Sequence, residues 1–403
     1  MELRPILSTI FRNKVGAALV VIQIAITLAV ITNAVFMIKE RRVVINSPSG
    51  LDEENSILVT SQIFDEAQNP KETIQADLRA LKALSGVASA SVVNGIPISN
   101  SGWGENIFTQ VDDPDSGVTV GQYISDENGL EAYGLEMIEG RFFTQQEVTW
   151  RDPNTNEYAP VVVVSQAAAE KLFPNESAVG KVVYDELQSP PTTIIGVYDQ
   201  MQMPWVGVEA DLRESTAVIP GIRNIFFSRY LVRAKPGERD RLIPIIEDLL
   251  TQNRGRVITS VRTTEWIKAR SYSSDKAMVV MLTAVITLLT TITALGIVGL
   301  AWFSITRRKK LIGTRRALGA QKHDILRYFM LENWLLTSIG LVVGIVLSIS
   351  LNFLLDNAFQ IGKMDWYYIP ISMVFLWLLG LAAVFVPALR ASSVPPALAT
   401  RNI

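Results

Sequence analysis

Along the chain, apolar and charged positions fall into blocks. Val15 to Ile38, Ala277 to Thr306, Asn333 to Leu355 and Trp366 to Leu389 each run without a single Asp, Glu, Lys or Arg. An α-helix needs about 20 apolar residues to cross roughly 30 Å of hydrocarbon, so each block predicts a transmembrane helix. Arg4, Arg12 and Lys14 precede the first block as they would in a secretory signal. A signal's apolar region runs only about 7 to 15 residues, however, so this longer block is expected to remain as an anchor.

Between the first two blocks the pattern changes. The runs "SILVTSQIF", "VASASVV", "VTVGQYI", "APVVVVS" and "TTIIGVY" alternate or are rich in β-branched residues and predict strands, while "KETIQADLRALKAL" and "ERDRLIPIIEDLLTQ" carry the spacing of amphipathic helices. Glycines and prolines in "NGIPISNSGWG", "VDDPDSG" and "QSPPT" mark turns rather than catalytic cradles. At either end, "KERRVVI" and "TTEWIKARSYSSDK" are compatible with helix and predict a two-helix stalk. The alternative is a pair of flexible linkers, with "SYSS" as the break.

Charge assigns sides. The chain is near neutral, at −2, but residues 39–276 hold 34 acidic and 23 basic residues, a net −11, and the rest is +9. Short membrane loops rich in Lys and Arg stay inside. Lys39, Arg41 and Arg42 offset the three cations ahead of helix one, so the first helix alone does not decide the orientation. The loop "RRKKLIGTRRALGAQKHDILR" does decide it, with Arg307, Arg308, Lys309, Lys310, Arg315, Arg316, Lys322 and Arg327 against Asp324. It is expected in the cytoplasm, with both termini, and Arg390 and Arg401 agree. Trp302 and "WYY" at 366–368 lie where interfacial aromatics belong.

The expected fold class is therefore a membrane protein with four transmembrane α-helices plus a large α+β extracytoplasmic domain of two lobes, inserted between helices one and two. The expected divisions are 1–14 (N-terminus), 15–38, 39–276 (outer domain with stalk ends), 277–306, 307–332 (loop and start of helix three), 333–355, 356–365, 366–389 and 390–403 (tail).

Composition excludes much chemistry. With no cysteine and one histidine, His323, the chain has no disulfide, thiolate metal site, cysteine nucleophile or histidine cluster. No GxxxxGK[ST] occurs, so ATP hydrolysis by a P-loop is excluded, and no catalytic, cofactor-binding or metal-binding residue is expected. The basic loop stands apart because apolar Leu311, Ile312, Ala317, Leu318 and Ala320 lie among its cations, and Gly319 is placed to end a short helix in a left-handed cap. Such an amphipathic helix suits a protein groove with an acidic rim. The competing reading is that the cations only set topology and touch lipid phosphates. In the membrane blocks, Gly340 and Gly344 form a GxxxG suited to close helix packing, and Gln23 and Asn33 are expected to face other helices.

That loop resembles the cytoplasmic loop of MacB- and FtsX-like ABC transporter permeases, whose pattern is close to RRxEIGIxRALGAxxxxI. Further along, "AYGLEMIEGRFF", "VVVVSQAAAEKLFPNESAVGKVV" with "IIGVYD", and "VPALRASSVPPALA" are similar to family phrases in the same order. The resemblance implies a type VII permease without a fused ATPase, in the bacterial inner membrane, that forms a permease dimer and engages two ABC ATPase subunits. Those contacts would run through Gly313, Arg316, Ala317, Leu318, Gly319 and Ala320. ATP and Mg would be bound by the partner ATPase and no cofactor by this chain. In the exporter branch, ATP-driven closure moves the outer domains through the stalk (mechanotransmission) and passes substrate to a periplasmic adaptor and outer-membrane channel. Membrane lipid is an expected contact and nucleic acid is not. Leu311 stands where the family usually has Glu, and Thr314 where it has Ile or Leu. That departure gives the expectation of a second, non-identical permease carrying the intact motif. Lipoprotein release from the membrane, and signal transmission to a cell-wall hydrolase as in FtsX-like regulators, remain alternatives within the same fold.

Overall fold

A computed structural model of the chain describes residues 14–393 apart from 66, 112, 152–157, 186–188, 224, 254 and 360. Arg4, Arg12 and Arg401, used above for orientation, lie outside the described residues, as does part of "QSPPT". The chain forms two compact units, one of 1–46 with 274–403 and one of 47–273.

The first unit opens with α1, Lys14–Asn46. This helix continues past Ile38 through Lys39, Arg41 and Arg42, because charge ends a membrane span without ending a helix.

The second unit is a mixed sheet with helices against it. Its first half contains β1 (Ser56–Ile63), α2 (Pro70–Ala83) and β2 (Val87–Val93). Asn69 caps α2, its side chain accepting from Lys71 N at 3.0 Å, with Pro70 following in the first turn. Next come β3 (Trp103–Phe108), β4 (Gly117–Ser125), α3 (Gly129–Tyr133), β5 (Met137–Gly140), β6 (Trp150–Arg151), β7 (Val161–Ser165), α4 (Gln166–Leu172), β8 (Val182–Val183) and β9 (Thr192–Tyr198). The unit closes with β10 (Thr216–Pro220), β11 (Ile222–Arg223), β12 (Phe227–Ala234), α5 (Arg239–Thr251), β13 (Arg256–Thr263) and α6 (Thr264–Ser271).

The main sheet runs β13-β1-β12-β2-β4-β10-β7-β9-β5, with β3 on β4 and β8 on β9. Strands β13, β1, β12 and β2 are antiparallel and bury Ile57, Val59 and Val232 against Ile74 and Leu81 of α2 and Leu242 and Ile246 of α5. Beyond β2 the sheet narrows to a single residue pair, Val93 with Ser125. It then widens again over β4, β10, β7 and β9, where α4 covers Val162, Val164 and Ile194. A third cluster, including Leu58, Leu231, Tyr123, Tyr133, Val163 and Tyr198, combines residues of both halves. Its tyrosines are fully buried and each hydroxyl has a partner, such as Tyr123 on Gln202 O and Tyr133 on Gly95 O, both at 2.7 Å. Under α2, Arg256 pairs with Asp77, which also accepts from Tyr230 Oη at 2.7 Å.

The chain returns to the first unit through α7 (Ser273–Arg307), with Tyr272 separating it from α6, so the "SYSS" stretch holds a one-residue break between two helices. Then follow α8 (Lys309–Ala317), α9 (Lys322–Phe359) and α10 (Tyr368–Ser392). Helices α1, α7, α9 and α10 are long and apolar enough to cross a membrane. Half of α1's apolar window is buried, against 6% of that of α7.

Candidate functional site

The basic loop folds as a short helix and a tight turn joining α7 to α9. Helix α8 ends in a Schellman cap: Ala320 N–H donates to Arg315 O at 3.1 Å and Gly319 N–H to Arg316 O at 3.2 Å. The cap requires a left-handed residue, and Gly319 supplies it at φ 99°. Helix α9 starts at once, because Asp324 Oδ2 accepts from Gln321 N–H at 2.8 Å and satisfies a donor ahead of the first turn. Every N–H from Leu318 to Gln321 between the two helices is thus hydrogen-bonded.

Anchors fix the inner side of this loop. Ile312 is buried with Ile325 and Phe329 of α9, and Gly313 is buried beside it. Arg308 pairs with Glu332 of α9 at 2.8 Å, the two side chains being 18% and 11% exposed. Arg316 Nη1 donates to Ser392 O at 2.7 Å, satisfying a carbonyl in the last turn of α10 and placing a cation at that helix's negative end. Arg315 lies 5.0 Å from the Tyr328 ring centroid.

The six residues expected to contact a partner are therefore not equivalent. Gly313 is buried, Arg316 and Ala320 are half-buried, and Ala317, Leu318 and Gly319 face outward. Leu318 is 84% exposed, with nothing within 4 Å of where a Gly319 Cβ would lie. Lys309, Lys310, Lys322 and Arg327 of the same segment are exposed and have no ion pair among the described residues. The arrangement presents an exposed leucine on a hydrogen-bonded turn in a strongly cationic segment. Among the described residues, no group of three His, Cys, Asp or Glu side chains is placed to hold a metal.

The helices behind the loop are held by close approach and buried polar bonds. A Cβ added to Gly340 would lie 2.9 Å from Ile24 Cβ, and one on Gly344 2.9 Å from Leu28 Cδ2, so both glycines lie directly against α1. Asn33 donates to Ser348 O at 3.1 Å, Gln23 donates to Ile292 O at 3.0 Å, and Thr27 and Thr293 hydroxyls meet at 2.8 Å. The last two contacts attach α7 to α1. At the far end of these helices Arg41 pairs with Asp275 at 3.0 Å.

Two family models match this chain: the MacB-like periplasmic core domain over residues 15–247 and the FtsX-like permease C-terminal region over 283–396. The chain belongs to the MacB-like permease family. It is thus a multi-pass membrane protein of the ABC permease type, and α8 with its turn falls within the FtsX-like region.

Among relatives of this MacB-like permease is the macrolide export ATP-binding/permease protein MacB of Chromobacterium violaceum, 27% identical over 65% of this chain and 40% of that protein. The protein of the same name from Neisseria gonorrhoeae is 24% identical over 79% of this chain and 48% of that protein. The chain spans less than half the length of these curated relatives. The crystal structure of the periplasmic region of MacB from Actinobacillus actinomycetemcomitans, 15% identical, covers 56% of this chain and 96% of that one at a TM-score of 0.34.

Sequence reasoning singled out the loop but missed its anchors. Glu332 and Ser392 lie 24 and 76 positions from their partners. The one available signal for Glu332 was an acid at the edge of an otherwise uncharged block.

Proposed function

We infer that this chain is the membrane subunit of an ATP-driven exporter, with the α8 turn docked to an ABC ATPase in the cytoplasm and the 47–273 domain in the periplasm. It works as a permease dimer in the inner membrane, with two ATPase subunits that bind ATP and Mg, and hands substrate to an adaptor and outer-membrane channel. The names of the relatives support efflux.

The observation that carries this reading is the exposed Leu318 on a turn fixed from behind. A side chain that only set topology would need charge and no anchored apolar tip. Arg308 and Arg316 join the turn to α9 and α10, Gly340 and Gly344 join α9 to α1, and α1 leads at Asn46 into the large domain. Force applied at Leu318 therefore has a continuous packed route through α9 to α1. The narrow joint between β2 and β4 supports reading the domain as two lobes.

Co-purification tests the reading. Leu318→Asp buries a charge in the partner's groove and should abolish recovery of the ATPase subunit, leaving the chain's thermal midpoint unchanged. Undiminished recovery would count against docking at this turn. If an ATPase is recovered together with a second, non-identical permease, the Leu311 departure is explained; homodimers with full coupling would exclude that pairing.

A further inference from the structure

We propose that the large domain carries an anion-binding site beside the β2–β4 joint, built for a phosphate or carboxylate attached to an apolar or aromatic body. A cavity of about 240 Å³ opens there, lined by Arg223, Arg229, Trp103, Phe227, Ser101 and Val93. This site is independent of the docking turn, and its test needs no ATPase.

Three observations carry the site. The first is the pair of guanidinium groups. Residues 39–276 are acidic overall, and arginines there have many carboxylates to meet, yet neither Arg223 nor Arg229 forms an ion pair among the described residues. Burial lowers both below the ordinary guanidinium value. A desolvated cation without a counter-charge is unfavourable, and a bound anion would offset that cost.

The second observation is the aromatic lining. The Arg223 guanidinium stacks 4.3 Å from the Trp103 ring centroid, and that of Arg229 lies 5.0 Å from Phe227. Trp103 and Phe227 are 43% and 39% exposed, so an apolar body bound to the anion would cover surface that now faces water.

The third is the loop from Asn94 to Trp103. Ile98 and Asn100 adopt φ 57° and 54°, a region a β-branched residue rarely occupies. Neighbouring contacts hold the loop there: Ile98 is buried and its N–H donates to Met203 O at 3.2 Å, Asn100 N–H donates to Pro204 O at 2.8 Å, and Ser99 Oγ donates within the loop. The result presents Ser101 to Arg229 Nη2 at 2.9 Å while Trp103 faces Arg223. Strain maintained in this way is characteristic of ligand sites. The position also matters mechanically: Val93 forms the single-pair joint, so a ligand here contacts the place where the two halves of the sheet meet.

The test is calorimetric titration of the full chain, in nanodiscs of neutral phosphatidylcholine, with phenyl phosphate, inorganic phosphate and phenol. Phenyl phosphate should bind saturably and about tenfold or more tighter than either half alone. Arg223→Gln keeps a polar side chain beside Trp103 but removes the guanidinium charge, and should weaken binding by a similar factor at an unchanged thermal midpoint. Arg229→Lys keeps the charge but loses the fork holding Asn94 and Ser101, and should weaken binding less than Arg223→Gln in a chain that still folds. Displacement by dihexanoyl phosphatidate would indicate a lipid headgroup as the source, and displacement by phenylacetate a soluble acid; displacement by neither overturns the site. So does equal binding to wild type and Arg223→Gln, or inorganic phosphate binding as tightly as its phenyl ester.

Discussion

Adding one methyl group at Gly340 or Gly344 should separate two helices that the rest of the chain needs together. The new Cβ would sit 2.9 Å from Ile24 Cβ at the first site, and 2.9 and 3.1 Å from Leu28 Cδ2 and Ala25 Cα at the second. Ordinary carbon contacts lie at about 3.5 Å or more, so α1 and α9 must part by roughly 0.6 Å. Overpacking of this kind costs about 1–3 kcal/mol, set against about 1 kcal/mol gained from replacing a helical glycine by alanine. Gly299 in α7 provides the matched control, since its added Cβ meets nothing within 4 Å. Equilibrium unfolding of the purified chain in mixed micelles should therefore rank Gly299→Ala at or above wild type, and Gly340→Ala and Gly344→Ala below Gly299→Ala by about 1–3 kcal/mol each. If all three variants unfold together, the two glycines do not set the α1–α9 distance and the packed route through them fails.

Other outcomes follow from the same contacts. Glu332→Gln and Arg308→Gln should each destabilise by about 1–3 kcal/mol, with a double mutant costing clearly less than their sum; strict additivity in the same unfolding assay would remove the ion pair from the account. Gly319→Ala forces alanine into the left-handed region at about 1 kcal/mol, and should reduce ATPase stimulation by reaiming Leu318. Arg316→Gln releases Ser392 O and should leave ATPase binding intact while lowering coupled hydrolysis, a split seen by measuring recovery and turnover together. In the large domain, the hydrogen bonds from Arg141 lower Glu147 from 4.5 to about 2. Its stabilisation is fully present above pH 4.5 and declines as pH falls toward 2, so the denaturant-midpoint gap between wild type and Glu147→Gln should be full at neutral pH and vanish near pH 2.

Much of the membrane unit was legible because a span is a one-dimensional property: an uncharged block of sufficient length. Helix ends were not, since α1 continues through Lys39 to Arg42, where charge ends the span without ending the helix. In the large domain, β1, β2, β4, β7 and β9 follow their apolar runs, and α2 and α5 their helical spacing. Strands β12 and β13 escaped notice because Arg229, Arg233, Arg256 and Arg262 interrupt them. Long-range pairing forms those strands, with β1 between them as partner to both. The loop "NGIPISNSGWG" reads as turns, and its punctuation is indeed conformational. Its left-handed Ile98 and Asn100 are set by contacts with residues 203–206, a fact no local pattern contains. The α8 turn was legible in its cap glycine and its leucine, while the inward contact of Arg316 depended on a carbonyl in a distant helix.

In the function proposed above, the α8 turn faces the cytoplasm and is covered there by an ATPase. The chain contains no cysteine, so Leu318→Cys introduces a single thiol at the exposed tip. The decisive measurement is its labelling by a membrane-impermeant maleimide in intact cells, and in inside-out vesicles with and without the ATPase subunit. The predicted results are no labelling in cells, rapid labelling in stripped vesicles, and protection when the ATPase is restored. Labelling from the cell exterior, or equal rates with and without the ATPase, would contradict the claim.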